Sequence, residues 1–361
     1  MVFTFGRDPD FPSRRKARLL STWRHCDCVS GYCGVQCSLN NATEAYVSEL
    51  VTAPRRAVRS RVFDSSRWAN YQSRPDDIVI ATYSKCGTTW TQRIVAMLVM
   101  KSAEPAPIWD LSPWPDMRIF GPIEEVLSRA DAQTHRRFFK THLPFDALPV
   151  YAGMKFIHVA RDGRDAALSL HNHLANFTPE ALAMLDEVSM ADERFGDPYP
   201  RPPQDAARFF HAWVQDGGDQ GDPSCGFYYV ENSFWSARCE PNLLLVHYGD
   251  LKADLGGEMR RVAGFLDIEI EEALWPELVN GARFETMKEH GQALLPAADV
   301  LWEGGSDRFL NKGSNGRWRE TFAPADLAAY EARVRAEFSP SLAAWLEGGR
   351  QRAGDPKVAT D

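Results

Sequence analysis

No stretch of this 361-residue chain approaches the roughly 18 consecutive apolar residues that a membrane span needs. Arg14, Arg15, Lys16 and Arg18 near the start are not followed by an apolar run long enough for a secretory signal. The reading is therefore a cytoplasmic protein without an integral membrane segment. An excess of basic charge is also missing: 41 Lys and Arg face 49 Asp and Glu, for a formal net charge of −8. That balance argues against a nucleic-acid partner, although a few basic residues can still make one cleft positive enough for a small anion. Paired cysteine spacing is absent too. Seven cysteines are present, and Cys26, Cys28, Cys33 and Cys37 crowd together without the C-x2-C pairs or following histidines of a zinc module. No metal is expected, and Cys86, Cys225 and Cys239 read as reduced thiols. Internal repeats and low-complexity tracts are likewise lacking.

Alternating strand and helix signals are present. Asp77–Tyr83, Arg137–Lys140, Lys155–Ala160 and Leu243–Tyr248 are short runs rich in β-branched or aromatic residues, as buried parallel strands are. The first runs through a tight turn into an apolar helical pattern, Trp90 to Met100, and the third into a helix reaching about His173. This order predicts an α/β fold with a P-loop-like central parallel sheet flanked by helices, in a single domain. The predicted layout is an N-terminal extension over 1–55, the domain over 56–348, and a polar, frayed tail over 349–361.

Four motifs carry chemistry. In Tyr83-Ser84-Lys85-Cys86-Gly87-Thr88-Thr89-Trp90, a glycine turn between strand and helix aims backbone N–H groups at one spot, where the helix start adds partial positive charge. Such a turn can cradle a phosphate. A Walker A loop would place lysine after its last glycine, as G-K-[ST]; here Lys85 precedes Gly87. Lys140-Thr141-His142-Leu143-Pro144 ends the second strand, with Lys140 and His142 on one face of an extended segment. Val159-Ala160-Arg161 leads into a helix that carries Ser169, and Phe309-Leu310-Asn311-Lys312-Gly313-Ser314-Asn315-Gly316-Arg317-Trp318 lies near the C-terminus.

Together these resemble the cytosolic-type sulfotransferases, which use PAPS (3'-phosphoadenylyl sulfate) as donor and release PAP. The family forms are P-K-[SA]-G-T-T-W, K-T-H-L-P, an Arg-to-Ser pair eight residues apart, and R-K-G-x-x-G-D-W-K. The likeness spans about 290 residues, with the motifs in family order. It implies that main-chain N–H groups of Cys86, Gly87, Thr88 and Thr89 hold the 5'-phosphate. It further implies that Lys85 stabilises charge on the bridging oxygen, Lys140 contacts the sulfuryl oxygens and His142 is the general base. Arg161, Ser169, Lys312 and Gly313 then meet the 3'-phosphate, while Trp90, Tyr248 and Phe284 line the adenine. Ser84 and Cys86 replace Pro and Ser without removing a backbone donor. Asn311 replaces the usual Arg and is expected to weaken donor binding; Arg317, in place of Asp, is the nearby candidate to compensate.

The acceptor implied is a small-molecule or lipid-linked hydroxyl (a phenol, an alcohol or a glycolipid), against an aromatic wall that includes Trp109, Trp114 and Phe120. The stretches around Ile108–Pro122 and Glu124–Val126 look most like bacterial glycolipid sulfotransferases. Two rival readings remain at this level. A P-loop nucleotide kinase would need G-K-[ST] and a metal-binding acidic strand end. A catalytically decayed PAP-binding module would bind nucleotide without transfer. The segment Arg319–Ala328 lacks the Thr-Val and final Glu by which many family members pair, so a dimer by that route is not expected.

Overall fold

The computed structural model describes residues 48–360. The Cys26–Cys37 cluster lies outside the described residues. Four strands form the central sheet: β2 (Ile78–Ala81), β3 (Phe138–Thr141), β5 (Lys155–Ala160) and β6 (Leu243–His247), in the order β3-β2-β5-β6 and all parallel. Each begins within one residue of its expected start. The runs are legible because both sheet faces are covered, so most consecutive residues are apolar. Ile78 and Ile80 enter one core with Ile157, Val159 and Val246, while Val79 and Ala81 enter the other with Phe139 and Phe156. The first of these cores is covered by helix α1 (Thr88–Met100), through Ile94, Val95 and Leu98.

From β2 the chain moves outward to β3, then returns to the other side of β2 for β5 and continues to β6. The sheet therefore reverses direction between β2 and β5. In open α/β sheets, ligands bind in the crevice beyond the strand carboxyl ends at such a reversal. The two loops that leave β2 and β5 there are Thr82–Gly87 and Arg161–Asp162. Helix α2 (Gly163–Leu174) follows the second, its N-terminus capped by Asp162, whose side chain accepts from the Arg164 N–H at 2.9 Å.

Polar groups inside the sheet are matched. Nδ1 of His158 on β5 donates to Ala81 O (3.0 Å), Nε2 pairs with Glu231 (2.9 Å), and the ring stacks on Phe234. A buried ion pair from Arg137 to Asp77, with Tyr71 on the same carboxylate, pins the starts of β3 and β2 together. A two-stranded antiparallel sheet joins β1 (Leu50–Thr52) to β4 (Val150–Tyr151). Residues 50–52, expected to belong to an extension, are thus a strand. The chain past Gly348, expected to fray, continues as helix to Ala353 after a kink at Gly349. Arg238 then anchors it by donating to Pro356 O and Ala359 O. Pro340 and Ser339 start this last helix, and its apolar face, with Trp345 and Leu346, fixes it in the core.

Among the described residues no helix is long and apolar enough to cross a membrane, and no group of His, Cys, Asp and Glu has metal-binding geometry. Cys86 and Cys225 are buried free thiols and Cys239 is an exposed one.

Candidate active site

The turn after β2 is built by two left-handed residues, Lys85 (φ 66°) and Gly87 (φ 119°). Alternation of this kind turns successive N–H groups toward one side, which makes an anion nest. Gly87 is required for a second reason: a Cβ there would sit 3.0 Å from Cδ2 of Tyr248. Thr88 starts α1, and its hydroxyl lies 2.6 Å from that of Thr82, locking the turn to the end of β2. The Cys86 side chain points into the core, where burial pushes its thiol pKa well up. Cys86 therefore offers the cradle its main chain alone.

β3 delivers Lys140 and His142 to the same end of the sheet. The carbonyl of Thr82, which can only accept, lies 2.7 Å from Nδ1 of His142. Nδ1 therefore carries the proton, and Nε2 keeps its lone pair. Trp114 joins the two residues: its ring is 3.6 Å from Nζ of Lys140 and meets the His142 ring edge-on at 4.8 Å. Asp116 holds that indole by accepting from Trp114 Nε1 (2.9 Å) and Trp68 Nε1 (3.1 Å). Phe63 and Phe120 pack on Trp114 and complete an apolar wall beside the imidazole. Trp109 lies elsewhere, against Trp302 and Phe309.

Lys85, Lys140 and His142 form one cluster of basic groups. Each keeps some accessible surface, yet each lies deep enough in the cleft for desolvation to dominate its titration. Burial, then the Arg161 charge, lowers Lys85 to about 7. Burial and Lys85 lower Lys140 to about 7, against a smaller opposing effect of Asp116. Burial, reinforced by Lys140, holds His142 well below the usual imidazole range, so it is neutral at pH 7.

Arg161, at the end of β5, spans the two loops. Its Nη1 donates to Lys85 O (3.2 Å), while Nε and Nη2 reach Asn315 Oδ1 (3.1 and 2.8 Å) and Nη2 also reaches Ser314 O (3.1 Å). Its guanidinium lies 4.1 Å from the centroid of Tyr248. Tyr248 in turn meets Trp90 edge-on at 5.3 Å, and Trp90 donates to Ala282 O. Gly313 approaches Phe284 so closely that a Cβ would fall 2.5 Å from the ring. Trp90, Tyr248, Phe284, Gly313 and Arg161 are therefore brought together as expected. Lys312 is exposed, and Ser169 sits half-buried on α2 with no side-chain hydrogen bond among the described contacts.

Several residues were not singled out by the sequence. Lys252 donates to Gly313 O (2.6 Å) and Lys288 to Asn311 O (3.4 Å). These lysines, each four residues after Tyr248 or Phe284, thus hold the 311–313 main chain. Asp165 accepts from Gly316 N–H and fixes the other end of that loop. Asn311 adopts φ 41° with ψ −116°, outside the left-handed helical region and strained for a residue with a side chain. Arg317 has a buried Nε without a hydrogen-bond partner, and its charge acts on Tyr248. His173 places Nδ1 3.4 Å from Nζ of Lys85. Its position four residues after Ser169, on the same helix face, was the one signal that could have found it.

The sulfotransferase domain family model matches residues 75–341. A glycolipid sulfotransferase of Mycobacterium bovis is 35% identical over 330 residues, covering 86% of this chain and 99% of that protein. Sulfotransferase 1B1 of Mus musculus is 28% identical over 290 residues, covering 76% of this chain and 86% of its own length. A crystal structure of retinol dehydratase with retinol and PAP shares the fold, with a TM-score of 0.59 at 23% identity, covering 75% of this chain and 83% of that one. The chain belongs to the sulfotransferase family and is an enzyme of sulfuryl transfer.

Proposed function

We propose that this enzyme transfers the sulfuryl group of PAPS to the hydroxyl of an apolar acceptor, with a glycolipid as the favoured class. The carrying observation is the His142 tautomer. Its Nδ1–H is committed to Thr82 O, so the lone pair of Nε2 is kept for a proton from an acceptor hydroxyl. Acceptor class is supported by the Phe63, Trp114 and Phe120 wall and by the likeness to mycobacterial glycolipid sulfotransferases.

The residues present fit an adenosine bisphosphate. Gly87 takes a φ of 119° that a side chain would strain, Gly313 leaves no room for a Cβ against Phe284, and Arg317 Nε is a buried donor in need of an acceptor. PAPS supplies an already activated sulfuryl group, so the protein's tasks are to position, to neutralise and to move one proton. Main-chain N–H groups of Cys86 to Thr89 hold the 5'-phosphate, and Lys85 and Lys140 offset negative charge at the reacting end. Nε2 of His142 receives the hydroxyl proton. Trp90, Tyr248 and Phe284 flank the adenine, and Arg161 with Gly313 meets the 3'-phosphate; Ser169 and Lys312 complete that site.

The test is transfer from labelled PAPS to a panel of glycolipid extract, steroid alcohols and simple phenols. Label in the glycolipid fraction is expected. Label confined to phenols overturns the acceptor class, and PAP binding without any transfer overturns catalysis.

Arg317 makes up for the missing arginine at Asn311. Arg317→Ala should weaken PAP binding by tenfold or more, since a hydrogen bond to a charged group contributes about 1.5–3 kcal/mol. Calorimetric titration measures it; an unchanged Kd refutes the assignment.

A further inference from the structure

Lys85 sits at the mouth of the cradle, and among the described residues no carboxylate pairs with it. Among the described residues, the side-chain acceptor within reach of Nζ is Nδ1 of His173, at 3.4 Å, and the Phe309 ring lies 4.3 Å away. Every other charged or titratable group bearing on Lys85 is basic: Arg161 from the end of β5, and Lys140 and His142 from the end of β3. Asp116 acts on Lys140 and is committed to two indoles. An ammonium has donors only, so this contact demands a lone pair on Nδ1 and puts the His173 proton on Nε2. The imidazole is clamped for that purpose. Phe177, Trp302 and Phe309 surround it at 5.1, 4.8 and 5.9 Å between centroids, and Trp302 Nε1 donates to the His173 carbonyl at 3.1 Å.

We propose that His173 is a positioning residue for Lys85, a neutral imidazole that holds the ammonium at the cradle mouth without setting negative charge beside the anionic donor. A carboxylate in its place would grip the ammonium harder, but it would cancel the field and repel the incoming phosphates. A phenyl ring would leave the ammonium without an acceptor. Burial and the nearby lysines hold His173 well below its ordinary range, so it stays neutral while Lys85 titrates. The proposal rests on the reading that Lys85 acts on the donor.

The experiment compares kcat/KM for PAPS against pH for wild type, His173→Phe, His173→Asn and Lys85→Ala. His173→Phe is expected to lose about tenfold at neutral pH and to move the alkaline limb to lower pH, because Lys85 gives up its proton sooner. His173→Asn, with Oδ1 near the former Nδ1, should restore both to within about threefold. A His173→Phe limb that coincides with wild type overturns the proposal, whatever happens to the acceptor KM. Lys85→Ala separates the two levels: if it matches wild type, the role of Lys85 itself has failed. Nitrogen NMR of labelled histidines in the wild-type protein gives a check that needs no variant to fold. An Nε2–H tautomer is expected at His173, and an Nδ1–H tautomer overturns the proposal.

Discussion

His142→Ala is expected to lower sulfuryl transfer by about 10²–10⁴-fold while leaving PAP affinity within about threefold, because a positioned general base contributes that much to rate and little to ground-state binding. The split follows from where the ring sits. His142 bonds to Thr82 on one side and faces Trp114 and Phe63 on the other, whereas Arg161 and Tyr248, proposed for the nucleotide, follow β5 and β6 on the opposite side of β2 from β3. A neutral imidazole is needed from the outset, and burial with Lys140 ensures it. Bound anion at the lysines offsets the repulsion that depresses the imidazole, so its basicity rises once the donor is seated. His142→Gln should be equally slow, since an amide cannot take the proton. Single-turnover transfer from labelled PAPS, with PAP titration in parallel, measures both quantities. Activity within a few-fold of wild type would remove His142 as the base.

Nucleotide binding should take up protons above neutrality. Lys85 and Lys140 both fall to about 7 in the free protein, each chiefly by desolvation and then by a neighbouring positive charge. Phosphate at the cradle cannot undo the desolvation, but its negative charge beside both ammonium groups outweighs these causes and restores their protonation. From about pH 7 to about pH 9, the affinity for PAP should therefore fall with a slope between about −1 and −2 in log K per pH unit. Folding stability responds in the opposite sense. Both lysines titrate near their ordinary value of 10.5 when unfolded and near 7 when folded, so the unfolded chain binds more protons between those limits. Stability of the nucleotide-free protein then rises with pH across that window. Calorimetry of PAP binding in two buffers of different ionisation enthalpy counts the protons, and Lys140→Met should reduce the uptake. A pH-independent affinity over this range would disprove the linkage.

How much of this was legible follows from the range of the interactions. The four strands of the main sheet could be read because Ile78–Ala81 and Lys155–Ala160 are buried on both faces and carry few polar residues to confuse the signal. The cradle was legible because a glycine between strand and helix is a local requirement. Strand β1 was missed, since its three residues are exposed and have no periodicity to follow. The docked C-terminal segment was also missed, because its polar composition hides bonds made to Arg238, more than a hundred residues away. The same holds within the site. Lys140 and His142 could be paired from their spacing, but the bonds from Trp68 to Asp116 and from Lys288 to Asn311 join segments with no local sign of partnership. Trp109 and Trp114 looked alike in sequence, and only their packing separates them.

One bond gives the site a built-in calliper. Because Arg161 donates to the Lys85 carbonyl while its other nitrogens face the Ser314–Asn315 loop, the two loops proposed to hold the 5'- and 3'-phosphates are tied together by a single planar group. A ligand with phosphate at both ends of its ribose can satisfy the two jaws together. One with a longer chain at the 5' end alone, such as ATP, fills one jaw and leaves the other closed on the amide of Asn315. Discrimination against triphosphates would then reside in a gap that one guanidinium measures.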